Sequence, residues 1–84
     1  MYYVYLLKSK KSGETYIGFT DNLRRRFNEH NNGRSESTKY KIPWELIYYE
    51  AYKSKNDALR RERMLKYDGR ASVWLKKRTE QSLL

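Results

Sequence analysis

The chain contains no cysteine and a single histidine, His30. The first absence excludes both a disulfide framework and a thiolate zinc site. The second excludes a metal centre built on several histidines. A hard cation held by Glu oxygen and water is then the more plausible metal. No apolar run approaches the length of a membrane span, and no signal-peptide pattern opens the chain. A cytoplasmic location without a membrane partner is the expectation. Acidic side chains are also scarce, 10 against 19 Lys and Arg, for a formal net charge of +9. Such a balance favours nucleic acid or another polyanion as partner. An anionic membrane fits less well, because the basic residues are spread over several elements and no helix pairs them with a broad apolar face.

What is present is aromatic. Nine Tyr, two Trp and two Phe stand among 84 residues, enough to fill much of the small core that one domain of this length can build. Tyr2 to Ser9 is an apolar, aromatic run that reads as a strand, and Thr15 to Thr20 as a second. The polar, Gly-containing Lys10–Glu14 turn between them predicts an antiparallel hairpin. Asp21 or Asn22 can cap a helix reaching about Asn31, with Asn32-Gly33 as its stop. Arg34 to Lys41 has no periodicity and reads as an exposed loop closed by Pro43. Trp44 to Tyr52 reads as a third strand. Ser54 to Asp57 fits a capping box for a helix over Asn56–Tyr67, ended by Asp68-Gly69. Ser72 to Glu80 reads as a short basic helix. The order ββαβαα predicts an α+β fold, a small three-stranded antiparallel sheet flanked by helices, over residues 1–80, with 81–84 a frayed tail.

Four features could carry chemistry. At a period of 3.6, Ala58, Leu59, Glu62 and Leu65 share one side of their helix, which places a carboxylate in an apolar stripe. A carboxylate there needs a cationic partner or a metal. Tyr5 and Tyr16, on adjacent strands, can meet on one face of the hairpin; ordinary aromatic packing is the plainer account of either alone. Arg26 and His30 form an i,i+4 pair, the Arg suited to phosphate and the His to proton transfer near neutral pH. Gly18, two residues beyond Tyr16, can open space beside the Tyr hydroxyls.

Taken together these residues have a counterpart. Tyr3-Val4-Tyr5, ten residues, then Tyr16-Ile17-Gly18 resembles the two signature triplets of the GIY-YIG nuclease superfamily, and the likeness is closest to its small stand-alone bacterial members. Arg26 matches the superfamily's invariant Arg, His30 a His that many members carry, and Glu62 the metal-binding Glu. The resemblance implies a divalent-metal-dependent endonuclease acting on nucleic acid, DNA in the first instance, with weak sequence specificity and no organic cofactor. It implies one Mg²⁺ or Mn²⁺ on Glu62, Arg26 against a phosphate oxygen, Tyr16 or His30 on the attacking water, and Tyr5 beside it. Arg24, Arg25, Arg34, Lys39 and Lys41 are the expected nucleic-acid contacts. Phe19 stands where the repair-nuclease branch has a Lys, and no Asn follows Asn56 where many members have one. Tyr3, Tyr48 and Tyr49 are expected to tolerate Phe. The competing reading is a module of the same fold that binds nucleic acid without cutting it. Oligomeric state is left open.

Overall fold

A run of apolar residues without strict alternation suits a strand covered on both faces, and Tyr2–Ser9 (β1) is the middle strand of the sheet. In the computed structural model, which describes residues 1–67 and Lys77, the strand order is β2-β1-β3. β2 is Thr15–Thr20 and β3 is Trp44–Tyr52, both antiparallel to β1. Tyr5 lies opposite Gly18 on one side and Tyr49 on the other, and Leu7 lies opposite Tyr16. The β1–β3 register shifts between Leu6 and Leu7. Two helices follow the expected order, α1 at Leu23–Asn31 and α2 at Lys55–Tyr67. The helix expected over Ser72–Glu80 lies outside the described residues, except for Lys77, which is helical.

Because successive side chains in a strand alternate faces, β1 divides the core in two. Val4 and Leu6 pack with Ala58 and Leu65 of α2 and with Ile17, Phe19, Ile47 and Tyr52. Tyr5 and Leu7 pack with Trp44, Tyr16, Ile42, Leu46 and the α1 residues Leu23 and Phe27. Each helix therefore covers one face of the sheet. Phe19 stacks on Tyr2 at 6.2 Å within the α2-side cluster, so its side chain belongs to the core and not to a phosphate contact.

Local chemistry fixes the ends of these elements. The Asn22 side chain accepts from the Arg25 amide at 3.1 Å and caps α1. Gly33 beyond the helix has φ +75°, a conformation L side chains rarely adopt. Ser54 caps α2 by accepting from the Asp57 amide at 3.2 Å. Asn31, in the last turn of α1, takes the place of a strand neighbour. Its amide donates to the Trp44 carbonyl at 3.0 Å while its oxygen accepts from the Trp44 amide at 2.6 Å. This ties the end of α1 to the first residue of β3.

The Arg34–Lys41 segment departs from the exposed loop expected. Lys39–Lys41 form a 3₁₀ turn, and Ser35 and Thr38 are buried, Thr38 with 1% of its surface exposed. Their hydroxyls bond to side chains of α1, and such distant partners leave no periodic trace in the sequence.

Glu50 on β3 is the fully satisfied carboxylate of the molecule's other face. Arg61 of α2 grips it with two bonds at 2.8 and 3.1 Å, and the hydroxyls of Tyr48 and Tyr52 donate to it at 2.6 and 2.7 Å. Burial acts to raise its pKa, but the bonds from Arg61, Tyr48 and Tyr52 outweigh this and hold it below the ordinary value. Arg61→Ala should destabilise the fold by about 2–3 kcal/mol, since it strips a charged partner from a carboxylate only 15% exposed. A depressed carboxyl pKa contributes stability above its unfolded value and loses it as pH falls through the folded one. Urea unfolding should therefore show the deficit at neutral pH and a narrowing gap as Glu50 is protonated.

Candidate active site

The site forms where the edge strand β2 is thin. Gly18 faces Tyr5 across the ladder, and a Cβ there would overlap the Tyr5 hydroxyl and its ring. Only glycine lets the Tyr5 ring lie across β2. Tyr5 is buried, with 2% exposure, and its hydroxyl lies 2.8 Å from His30 Nε2. The Arg26 guanidinium stands beside this hydroxyl, close enough for its charge to act on it. Tyr16 is half-buried alongside, its ring 6.4 Å from that of Tyr5 and 5.2 Å from that of His30. The sequence-predicted pairings of Tyr5 with Tyr16 and of Arg26 with His30 thus merge into one cluster.

α1 supplies Arg26 and His30 on successive turns. His30 is completely buried, and its Nδ1 lies 2.7 Å from Thr38 Oγ1. Burial, aided by the charge of Arg26, pushes the imidazole down to about 4, so the ring is neutral at physiological pH. Arg26 is more open. It donates to Glu29 at 3.2 Å and to Ser35 Oγ at 3.3 Å, which fixes its guanidinium at the rim of the cluster. Burial and the neighbouring Tyr16 push the Tyr5 hydroxyl up to about 12, with Arg26 pulling the other way. Tyr5 therefore carries its proton at neutral pH.

Glu62 reaches this cluster from α2. Ala58 and Leu65 on its helix are buried, but Glu62 keeps 21% of its side chain exposed, which puts it at the rim of the apolar stripe and not at its centre. Its charge acts on the Tyr5 hydroxyl. Its ion-pair partner is Lys66, one turn on, at 3.4 Å, and the Lys66 ammonium lies 5.8 Å from the centroid of the Tyr16 ring. The Glu62–Lys66 flank of α2 thus reaches past the β2 edge to the Tyr side of the sheet. Lys66 was not singled out from the sequence, although its i,i+4 spacing from Glu62 was a usable signal. Thr38 and Ser35 were missed as well.

Among the described residues, no group of three or more His, Cys, Asp or Glu side chains gathers as a metal cage. The donor set of one half-buried carboxylate suits a different arrangement, in which a hydrated Mg²⁺ or Mn²⁺ takes one protein oxygen and completes its shell with water and substrate phosphate. Glu62 fits that requirement once Lys66 releases it.

The expected nucleic-acid contacts are dispersed. Lys41 lines an open cleft of about 670 Å³ together with Lys8, Tyr16 and Trp44, next to the cluster. Arg24 lines a separate groove of about 550 Å³ between α1 and β3, with Phe27 and Tyr49. Arg34 is exposed. Arg25, Lys39 and Lys41 are paired with Asp21, Glu36 and Glu14. Such exposed pairs are weak, and each cation can exchange its carboxylate for a phosphate.

Hydroxyl removal separates ring packing from chemistry. Tyr16→Phe should fold as the parent does and lose activity, with Tyr5→Phe milder, both read by circular dichroism and nuclease assay. Parental activity in both variants would return the two residues to a packing role. Tyr3→Phe and Tyr49→Phe serve as controls. Tyr48 does not, because its hydroxyl donates to Glu50.

The geometry has relatives. The chain is similar to a UPF0213 protein of Streptococcus agalactiae, 38% identical over 65 residues, covering 76% of this chain and 73% of that one. A UPF0213 protein of Clostridium perfringens is 40% identical over 67 residues, covering 79% and 71%. The solution structure of a UPF0213 protein from Bacillus halodurans superposes with a TM-score of 0.57 at 32% identity, covering 92% of this chain and 84% of the other. The GIY-YIG catalytic domain profile matches residues 1–78. With the paired Tyr triplets, Arg26 and Glu62 in one place and the profile matched nearly end to end, the chain belongs to the GIY-YIG family, a superfamily of nucleases.

Proposed function

We propose that this protein is a divalent-metal-dependent endonuclease that hydrolyses phosphodiester bonds in DNA with weak sequence specificity. The observation that carries the reading is the convergence of Tyr5, Tyr16, Arg26 and Glu62 at the β2 edge, where Gly18 clears the space. A bound Mg²⁺ or Mn²⁺ would supply charge against the developing phosphorane and the leaving oxygen. Glu62 would hold that ion after parting from Lys66. Arg26, fixed by Glu29 and Ser35, would neutralise a non-bridging phosphate oxygen. Tyr16, the more open of the two Tyr, would orient the attacking water. His30 lies behind Tyr5 and is fully buried, which favours Tyr16 over His30 for this role. Tyr5 would hold Arg26 and His30 in register.

The experiment that tests the reading looks for new ends. End-labelled duplex incubated with the protein and Mn²⁺ should yield shortened strands bearing phosphate and hydroxyl termini. Retarded but intact DNA would favour the non-catalytic binding module.

Binding itself should be weak and salt-sensitive. No base-reading helix face is evident among Arg24, Arg25, Arg34, Lys39 and Lys41. One face that neutralises about four to six phosphates gives log K falling against log salt with a slope of roughly −4 to −5 on duplex DNA. Selectivity should follow ends, nicks or branches, since a phosphate path is what such a surface reads. Tight, salt-insensitive binding to one defined sequence would contradict this.

A further inference from the structure

We infer that Thr38 is a positioning residue of the site: its hydroxyl fixes His30 as the Nδ1–H tautomer and so aims a bare Nε2 at Tyr5. The argument is one of donors and acceptors. The Arg26 guanidinium, anchored by Glu29 and Ser35, offers only protons and positive charge, so the Tyr5 oxygen turns its lone pairs to it and its O–H away. The one proton of the Tyr5 hydroxyl then goes to its partner, His30 Nε2, at 2.8 Å. A neutral imidazole that accepts at Nε2 carries its proton on Nδ1. Nδ1 lies 2.7 Å from Thr38 Oγ1, which takes that proton as acceptor. The hydrogen bonds therefore run in one direction, Tyr5 to His30 to Thr38, with the Arg26 charge at their head.

Thr38 is itself held in place. The Trp44 indole, which has only a donor to offer, bonds the Thr38 carbonyl at 2.9 Å. The Thr38 amide donates to the Ser35 carbonyl at 3.2 Å, and Ser35 in turn accepts from Arg26. The same short segment thus positions both α1 residues of the cluster. A valine would match the shape of Thr38 but offer no acceptor, and His30 would then gain by moving its proton to Nε2. Tyr5 would lose the acceptor for its own proton and turn from Arg26.

The consequence for rate rests on the endonuclease reading; the tautomer does not. His30 is the only histidine, so long-range ¹H–¹⁵N correlation of the full-length protein reports a single imidazole. The expected spectrum shows Nδ1 protonated and Nε2 bare. Thr38→Val should shift the tautomer towards Nε2–H and slow Mn²⁺-dependent cleavage of duplex DNA about 10–100-fold, with duplex affinity unchanged. Thr38→Ser, which keeps the acceptor, should restore both. A parent protein with Nε2 protonated would overturn the inference, as would a Thr38→Val protein with the parental tautomer and rate. Should Thr38→Val fail to fold, the parent and Thr38→Ser spectra decide alone, and both must show Nδ1–H. A parent that shows the expected tautomer but cuts no DNA would retire the endonuclease reading and leave the hydrogen-bond assignment standing.

Discussion

Glu62→Gln should abolish metal-dependent cleavage while leaving the fold and the affinity for nucleic acid in place. The side chain keeps its length and its position at the helix rim, where 21% of it is exposed, so no deeply buried charge is lost. Its partner Lys66 is 33% exposed, and an ion pair that open contributes at most about 1 kcal/mol. What disappears is the anionic oxygen that a hard cation requires. Among the described residues, the other half-buried carboxylates are Glu29 and Glu50, and both are already paired. Glu29 is engaged with Arg26 and Glu50 with Arg61. Cleavage should fall to background at any Mg²⁺ or Mn²⁺ concentration, while the binding isotherm measured without metal overlays the parent. Undiminished cleavage would remove Glu62 from its assigned role.

Arg26→Lys should lower the turnover rate by about 10²–10³-fold, the usual cost of losing one contact to charge that develops in the transition state. Charge is conserved in this variant, so the loss measures geometry. Arg26 donates to Glu29 and Ser35 while its charge faces the Tyr5 hydroxyl, and a planar fork with five donors can do this while still presenting an edge to phosphate. A lysine ammonium cannot span the same partners. Single-turnover kinetics on labelled duplex should show the fall in the rate constant, with the dissociation constant nearly constant. Parental activity would reduce Arg26 to a general electrostatic role.

The β-sheet and the helix starts were legible because their signals are local. The three strands fall at the residues that their β-formers mark, and Asn22, Gly33 and Ser54 act at the termini where capping chemistry puts them. The pairing of Tyr5 with Tyr16 followed from strand alternation and a short turn. Other parts of the site were illegible for a physical reason. Thr38 and Ser35 lie in a polar stretch with no period, and their burial is set by partners eight or nine residues away on α1. His30, read as a base near neutral pH, sits fully buried between Tyr5 and Thr38, an environment only the tertiary structure creates. Periodicity set Glu62 on the Ala58–Leu65 side of α2, but it gives direction and not depth. It could not separate the rim position from a core position, nor select Lys66 as partner.

The measurement that bears most directly on the central claim is nicking of supercoiled DNA by the purified full-length protein, alongside branched and single-stranded substrates, with Mg²⁺ or Mn²⁺ supplied and then chelated. The expected result is conversion of supercoiled to open-circular DNA that starts with metal, stops on chelation and resumes when metal is restored. Intact DNA of every form, with metal present and binding demonstrated in the same tubes, would contradict the claim.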